Sequence, residues 1–206
     1  MSNSAAHMQQ SETELPAVIA QLYQKFGESA FVRQHTAEGM PTVWVDRDKI
    51  LEVLKFLRDE ASPRFEMLLD VTAIDERLRV HRDGQPDSDF TVVYQPISFS
   101  GNCDVRIKVA LKEPDLNIPT AIGLWPAANW HERECWDMFG VVFTGHPNLS
   151  RIYTPPTWVG HPLRKDHPAR ATEMDPYRHD DDIVDTEHEA MKFNPAEWGL
   201  ERQSDP

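Results

Sequence analysis

Proline positions divide this chain into two parts that cannot fold in the same way. Six prolines lie between residues 147 and 176. Because proline fixes φ and lacks a backbone N–H, regular helix and central strand are excluded there. Before about residue 119, apolar residues instead recur at the spacings of helices and strands. We therefore expect a regular domain followed by a long irregular segment.

The regular part, residues 15–139, predicts an α+β fold. Helices are predicted over residues 15–26 and 50–57, the second of them capped by Asp46. Runs of strand composition predict strands at residues 31–32, 42–45, 65–74, 90–94 and 105–111. A short helix is predicted over residues 130–139. This order favours a mixed, largely antiparallel sheet with helices packed on it, followed by a Pro/Gly-rich C-terminal arm.

Charge is unevenly distributed along the chain. The formal net charge is −13, and residues 171–206 hold 11 Asp and Glu against 3 Lys and Arg, a balance of −8, which leaves −5 for residues 1–170. Residues 171–206 are therefore predicted to be a separate acidic tail or linker, and the polar residues 1–14 a disordered N-terminus. Nucleic acid and anionic lipid are not expected partners, since both are bound through clustered positive charge.

The two cysteines, Cys103 and Cys135, form no C-x-x-C pair and cannot alone hold a structural zinc ion. No window approaches 18 consecutive apolar residues, and the N-terminal residues lack an apolar signal-peptide core. We expect a reduced cytoplasmic protein.

The predicted helix 130–139 carries four charged side chains within about two turns: Glu132, Arg133, Glu134 and Asp137. Arg133 and Asp137 stand four residues apart, so an ion pair within the helix is available. The acids could form a general acid–base pair, or this face could dock onto a partner or onto the chain's own loop. Docking is favoured, because no nucleophile motif or phosphate-binding loop accompanies the acids.

The following segment contains four candidate metal ligands: His146, His161, Asp166 and His167. They could ligate a metal, but their spacing matches no standard ligand set. The tripeptide Gly-His-Pro occurs twice, at Gly145-His146-Pro147 and at Gly160-His161-Pro162. Turns whose histidines hydrogen-bond the backbone explain this recurrence without a metal.

Basic residues also cluster in this segment: Arg151, Arg164, Lys165 and Arg170. They could hold a phosphate or carboxylate group, or pair with an acidic partner surface or the chain's own tail. A partner is favoured, because no Gly-rich phosphate cradle precedes them. Dinucleotide-binding, P-loop, nucleophile-elbow and iron–sulfur spacings are absent from the sequence. We therefore expect residues 140–170 to form an extended docking arm anchored by Trp158 and its arginines.

The same residues carry a resemblance to a known family. The segment closely resembles the signature of the 30-kilodalton subunit, also called the C subunit, of NADH:quinone oxidoreductase (respiratory complex I). The matching positions are the run from Glu132 to Gly140, then Phe143, Gly145, His146, Pro147, Leu149, Arg151 and Ile152, and finally Gly160, His161, Pro162, Leu163, Arg164, Lys165, Asp166 and Pro168. The segment departs from the family at His167, which is mostly aromatic there, while Cys135 falls at a variable position.

Looser similarity extends along the rest of the chain. Residues 75–79, 125–130 and 193–199 are similar to the bacterial form in which the C and D subunits are fused in one polypeptide. Since such a fusion would continue into the D portion after these residues, the sequence is either a piece of a fusion or a stand-alone subunit with the connecting tail.

The resemblance implies a structural subunit of the hydrophilic arm of complex I, with no catalytic residue, cofactor or metal of its own. FMN, iron–sulfur clusters, NADH and quinone would be bound elsewhere in the complex. The chain would dock on the D subunit (49-kilodalton type), which helps form the quinone site. It would lie on the cytoplasmic side of the bacterial inner membrane and meet the membrane only through the complex.

Two alternatives stay open at this point. Related domains occur in membrane-bound nickel–iron hydrogenases and formate-hydrogen-lyase-type complexes, so the chain could belong to a hydrogenase-type complex. A free-standing metal-dependent hydrolase using the histidines and Asp166 is the alternative from another class.

Overall fold

The structure is a computed structural model that describes residues 15–81, 84–156 and 158–168. The N-terminus 1–14, the tail 171–206 and Arg170 of the basic cluster, each the subject of a prediction above, lie outside these residues.

Three helices of the described chain form near the residues where the sequence predicts them. They are α1 (Ala17–Phe26), α2 (Ile50–Asp59) and α3 (Ala128–Phe139). Asp46 does not cap α2 directly, because a short 3-10 helix, Arg47–Lys49, intervenes, and the Asp46 side chain makes no capping hydrogen bond. A second 3-10 turn, Glu28–Ala30, joins α1 to the first strand.

Eight strands lie among the described residues. They are β1 (Phe31–Gln34), β2 (Thr42–Val45), β3 (Met67–Asp75), β4 (Phe90–Ser98), β5 (Cys103–Asp104), β6 (Arg106–Leu111), β7 (Asn117–Pro119) and β8 (Val142–Thr144). The main sheet has the order β1-β2-β6-β4-β3, with β5 added beside β4. In it β2 and β6 pair in parallel and the remaining pairs are antiparallel, so the predicted α+β class and largely antiparallel sheet are confirmed.

One hydrophobic cluster holds the helices to the sheet. Ile107, Val109 and Leu111 alternate with less buried residues along β6, as the period-2 pattern predicts. Their side chains join those of all three helices in a single core. This continuity of the core makes the sheet and helices one folding unit.

The sequence does not predict three of the strands, because two or three residues are too few to show a period. Among them β7 and β8 pair in parallel and form a second, two-stranded sheet. Since β8 spans residues 142–144, the segment predicted as an arm begins as a strand beside the domain.

Helix α3 lies against the edge strand β3 and positions the predicted signature. The Cys135 thiol donates a hydrogen bond to the Val71 carbonyl of β3, with Sγ and O 3.2 Å apart. Gly140 ends the helix in the left-handed conformation, with φ of 78°. No helix in the described part of the chain is long and apolar enough to cross a lipid bilayer.

Candidate functional site

Asp137 organises the loop that follows β8. Its carboxylate is fully buried in the last turn of α3. Oδ2 accepts the backbone N–H groups of Ile152, Tyr153 and Thr154 at 3.0, 2.8 and 3.0 Å. Oδ1 accepts Arg151 Nη1 at 2.7 Å and also the Thr154 hydroxyl. One carboxylate therefore fixes the backbone of three successive residues.

These donors determine the charge of Asp137. Burial alone raises the pKa of its carboxyl group, but hydrogen bonds from Thr154, Tyr153 and Arg151 outweigh burial and hold the pKa well below its usual value. An ionised carboxylate enclosed by donors cannot take up a proton at neutral pH. The geometry of Asp137 therefore suits structural support rather than acid–base catalysis.

Arg151 extends the organised loop toward residue 160. Its Nη2 donates to the carbonyl oxygens of Trp158 and Gly160, each at 3.0 Å. Its guanidinium also lies 5.4 Å from the ring centroid of Trp136, in cation–π range. Asp137 and Arg151 together give the irregular segment a defined path although it has no regular secondary structure.

Arg133 binds the same loop instead of its helical neighbour Asp137. Its Nε and Nη2 donate to the Ser150 carbonyl and hydroxyl, each at 3.1 Å, and Nη2 donates to the Arg151 carbonyl at 3.3 Å. The ion pair between Arg133 and Asp137 that the spacing made available does not form, because Asp137 is fully engaged with the loop. Of the two docking alternatives, these contacts show α3 binding this chain's own loop.

Glu132 is a buried carboxyl group whose hydrogen-bond donors are both neutral. Its Oε2 accepts the Thr120 hydroxyl at 2.5 Å and its Oε1 accepts the Ala121 N–H at 2.7 Å. Burial raises the pKa of Glu132 to about 7, and these two hydrogen bonds only partly oppose the rise. Glu132 joins α3 to the turn after β7.

Both Gly-His-Pro histidines hydrogen-bond the backbone, as their recurrence suggested. His146 Nδ1 accepts the Asn148 N–H at 3.1 Å, so its Nε2 is the nitrogen that donates to the Asn129 carbonyl at 3.3 Å. His161 Nδ1 lies 3.0 Å from the Asp137 carbonyl. Burial lowers the pKa of both imidazoles, which favours their neutral form.

The metal-hydrolase alternative requires four side chains to converge: His146, His161, Asp166 and His167. In the part of the chain that the structure describes, no three His, Cys, Asp or Glu side chains are placed to hold a metal ion. The His167 ring lies instead against Trp158, with centroids 5.8 Å apart, and Asp166 pairs with Arg77. The described residues therefore do not form the site that a hydrolase of this kind would need.

A second charged cluster fixes residues 165 and 166 to the end of β3. Arg77 donates to both carboxylate oxygens of the buried Asp75, at 2.5 and 3.0 Å, and to both of Asp166, at 2.9 and 3.0 Å. The Lys165 N–H also donates to Asp75 at 2.8 Å. Sequence reasoning missed this role of Asp75 and Arg77, although both fall in a segment similar to the family.

Arg164 holds the same segment to the end of α3. Its Nε donates to the Phe139 carbonyl at 2.6 Å and its Nη1 to Glu113 at 3.1 Å. The guanidinium groups of Arg77 and Arg164 lie 4.9 and 5.0 Å from the buried Phe90 ring. The carboxylate partner of Arg164 in this structure is therefore one of the chain's own.

Both the close packing around residue 140 and the backbone conformation of this residue favour glycine there. A Cβ there would lie 2.7 Å from both Arg164 Nη2 and the His161 ring. Its φ of 78° is also one that side-chain-bearing residues rarely adopt. The signature thus has glycine at the end of α3, where His161 and Arg164 pack against the helix.

The other predicted site residues have less specific surroundings. Glu134 is half-buried on α3, Trp158 is half-buried in the loop, and Gly145, Pro147, Gly160 and Lys165 are exposed. Pro162 is half-buried, and the exposed Leu163 donates its N–H to the Met138 carbonyl at 3.0 Å. The site as a whole fastens residues 150–166 to the domain.

Comparison with known proteins identifies the family of this chain. A sequence profile of the family described as "Respiratory-chain NADH dehydrogenase, 30 Kd subunit" matches residues 43–173. The chain belongs to this family. The match includes every residue of the two charged clusters.

Relatives in the family extend the match to almost the whole chain. The C/D subunit of NADH-quinone oxidoreductase from Chromohalobacter salexigens is 55% identical over 197 residues, which are 96% of this chain and 33% of that protein. The C/D subunit from Methylococcus capsulatus is 50% identical over 202 residues, or 98% of this chain and 34% of that protein. The chain thus spans about a third of these relatives' length, and its predicted similarity to the C–D form is confirmed.

Two solved structures share the fold. A trypsin-resistant fragment of Nqo5 has a TM-score of 0.56 and 26% identity, covering 64% of this chain and 99% of the fragment. A chain of an archaeal membrane-bound sulfane sulfur reductase has a TM-score of 0.59 and 24% identity, covering 80% of this chain and 95% of that one. The second likeness bears on the fold alone.

Proposed function

We propose that this chain acts as a non-catalytic structural part of the hydrophilic arm of proton-pumping NADH:quinone oxidoreductase. In this role it docks on the D subunit and supports electron transfer from NADH through FMN and iron–sulfur clusters to quinone. Those cofactors are bound by other parts of the complex. The chain lies on the cytoplasmic side of the inner membrane.

The observation that carries the proposal is the environment of Asp137. Five donors enclose this buried carboxylate, and all of them belong to the loop that the carboxylate shapes. This acid of the family signature is therefore engaged in folding. The relatives are named as C/D subunits of NADH-quinone oxidoreductase, which supports the assignment to complex I.

The segment at residues 150–166 supports the docking proposal because several of its apolar side chains are exposed to solvent. Tyr153, Val159 and Leu163 are 67%, 85% and 51% exposed. Apolar and aromatic side chains at the centre of an interface supply much of its binding energy. Further burial of the half-buried Trp158 on contact with D stays a prediction.

Affinity isolation from native membranes tests the proposal. A tag is placed on the polypeptide that carries this sequence, and the co-purified proteins are identified by mass spectrometry. We expect the D portion or subunit together with the iron–sulfur and flavin subunits of complex I. Recovery of nickel–iron hydrogenase subunits would replace complex I by the hydrogenase-type alternative, and recovery of the chain without any respiratory subunit would contradict both.

A further inference from the structure

Most charged side chains of the signature are neutralised or hydrogen-bonded within the chain, but Glu134 is not. Glu132, Arg133 and Asp137 on the same helix all bind loop residues, as described above. The side chain of Glu134, which is half-buried on α3, makes no hydrogen bond or ion pair with any residue that the structure describes. Intramolecular folding therefore leaves this acid unexplained.

The surroundings of Glu134 add negative charge. The Cys135 thiol donates a hydrogen bond to the Val71 carbonyl, and these two residues directly follow Glu134 and Asp70, so the two acids belong to backbone segments in contact. Burial first, and then the charges of Glu134 and Asp70, raise the pKa of this thiol. Asp70 projects from β3, and its Oδ1 lies 3.3 Å from His131 Nδ1 on α3. Two half-exposed acids thus lie where α3 meets the edge strand, with a histidine near one of them.

Exposed apolar side chains lie beside these acids. Trp130, one helical turn before Glu134, is 60% exposed, and Leu69, next to Asp70, is 44% exposed. Leu69 lies at an irregularity in the pairing of β3 with β4, where the register shifts between Leu68 and Asp70. A β-bulge of this kind commonly redirects a side chain away from the sheet.

We propose that Leu69, Asp70, Trp130, His131 and Glu134 form a docking surface, here named the α3–β3 surface, for a basic segment of a partner subunit. This inference rests on the proposed function, because it names the chemistry of a partner within that complex. A Lys or Arg side chain of such a segment would pair with the carboxylates of Glu134 and Asp70.

The exposed indole favours the same occupant, since a cation can lie against its face in addition to pairing with the acids. Trp130 already has Arg133 on one side, with the guanidinium 5.0 Å from its ring centroid. An acidic or membrane-lipid partner would instead place phosphate or carboxylate groups beside the carboxylates of Glu134 and Asp70.

Cysteine labelling in the assembled complex tests whether the surface is covered. Trp130→Cys and Leu69→Cys are compared with Glu52→Cys, which replaces an exposed acid on α2. We expect a maleimide reagent to label positions 69 and 130 at least about tenfold more slowly than position 52, because buried interface positions exclude solvent. Equal labelling rates at all three positions would overturn the proposal.

Charge variants test whether the occupant is basic. Glu134→Lys should lower the assembled fraction of the complex about tenfold at low salt, and Glu134→Gln about threefold, since like charges facing each other oppose association. Glu52→Lys is the matched control and should leave assembly unchanged. If Glu134→Lys assembles as well as Glu52→Lys, the surface does not bind a basic segment.

Photo-cross-linking from a benzophenone amino acid at position 130 identifies the occupant. We expect products with a peptide of another subunit, or of the D portion, that contains Lys or Arg. Products only with lipid or with a peptide lacking both would overturn the inference. If complex I subunits still co-purify with the chain, such results would leave the proposed function intact. If no complex I subunit co-purifies, the proposed function itself would be contradicted.

Discussion

Two buried carboxyl groups on α3, five residues apart, show that surroundings rather than residue type fix a charge state. Asp137 has a guanidinium and three backbone N–H groups among its donors, and these hold its pKa low against the effect of burial. Glu132 has two neutral donors, and burial prevails, with a pKa of about 7. The two acids therefore affect stability in opposite ways as pH changes.

Replacing Glu132 by Gln should stabilise the protein at alkaline pH. The folded-state pKa of about 7 lies above the usual value of 4.5, so ionisation destabilises the fold progressively between pH 4.5 and 7 and fully above that range. Gln stays neutral and can still accept from Ala121 and donate to Thr120. We expect a gain of about 3 kcal/mol in the free energy of unfolding at pH 8 and below about 1 kcal/mol at pH 5.

Urea unfolding at the two pH values measures this difference. Glu52→Gln, at an exposed position of α2, is the control and should change the free energy of unfolding by less than about 0.5 kcal/mol at either pH. A loss of stability at pH 8 in Glu132→Gln would mean that the ionised carboxylate is the form the fold requires.

Gly140→Ala tests the packing beneath the signature. The added Cβ meets Arg164 and His161 at 2.7 Å and must adopt φ of 78°, so we expect a loss of about 3 kcal/mol in thermal or urea unfolding. Gly39→Ala separates the two causes, because Gly39 has φ of 73° with nothing within 4 Å of a Cβ. It should lose only about 1 kcal/mol. Equal losses would show that the clash contributes nothing.

Residue types in the signature were predictable, but their partners were not. The run from Glu132 to Asp137 identified the charged face of α3, and its spacing suggested a pair between Arg133 and Asp137. The pair is absent because Asp137 and Arg133 each bind residues 14 or more positions away. Spacing in the sequence identifies neighbours on the same helix. The observed partners instead depend on how the chain after β8 folds back against α3.

At the scale of elements, Arg77 connects the end of β3 to the segment at residues 161–168. Its guanidinium bridges the buried Asp75 and the more exposed Asp166. Burial alone would raise the pKa of Asp75, but hydrogen bonds from Arg77 and from the Lys165 backbone exceed this effect and lower the pKa to about 2. Removal of Arg77 would leave a buried carboxylate without its cation.

Arg77→Ala should therefore release this segment. We expect faster amide hydrogen exchange at residues 163–167 and a loss of about 3 kcal/mol in the free energy of unfolding. The matched control is Arg47→Ala, which removes a surface pair with Asp115 and should cost less than about 1 kcal/mol. Unchanged exchange at residues 163–167 would show that other contacts hold the segment.

Elements with a clear period were predictable and the others were not. Alternation over six residues indicated β6, and apolar spacing over ten residues indicated α1 and α2. The three-residue strands β7 and β8 carry no such pattern. Proline excludes regular structure from residues 150–166 and so predicts an extended arm. The observed backbone path depends on hydrogen bonds between side chains and backbone groups, which produce no periodic pattern in the sequence.

At the scale of the whole molecule, the charged residues of the family signature hold the irregular segment to the domain, and we propose that they act in assembly through this segment. Asp137, Arg151, Arg164 and the Asp75–Arg77 pair fix one segment against the α+β domain. That segment presents exposed apolar side chains, while the α3–β3 surface presents the carboxylates of Glu134 and Asp70 beside exposed Trp130 and Leu69. Both features are suited to contact with other subunits.

Assembly and turnover in Asp137→Ala and Arg164→Ala separate a structural role of the signature from a catalytic one. The amount of assembled complex I is measured in membranes by native electrophoresis, and NADH:quinone turnover is expressed per assembled complex, with Glu52→Ala as the control. We expect several-fold less assembled complex in both variants, because each substitution removes the hydrogen bonds that hold the irregular segment to α3. Turnover per complex should stay within about twofold of the unmodified protein. Normal assembly with lost turnover per complex in either variant would contradict a structural role.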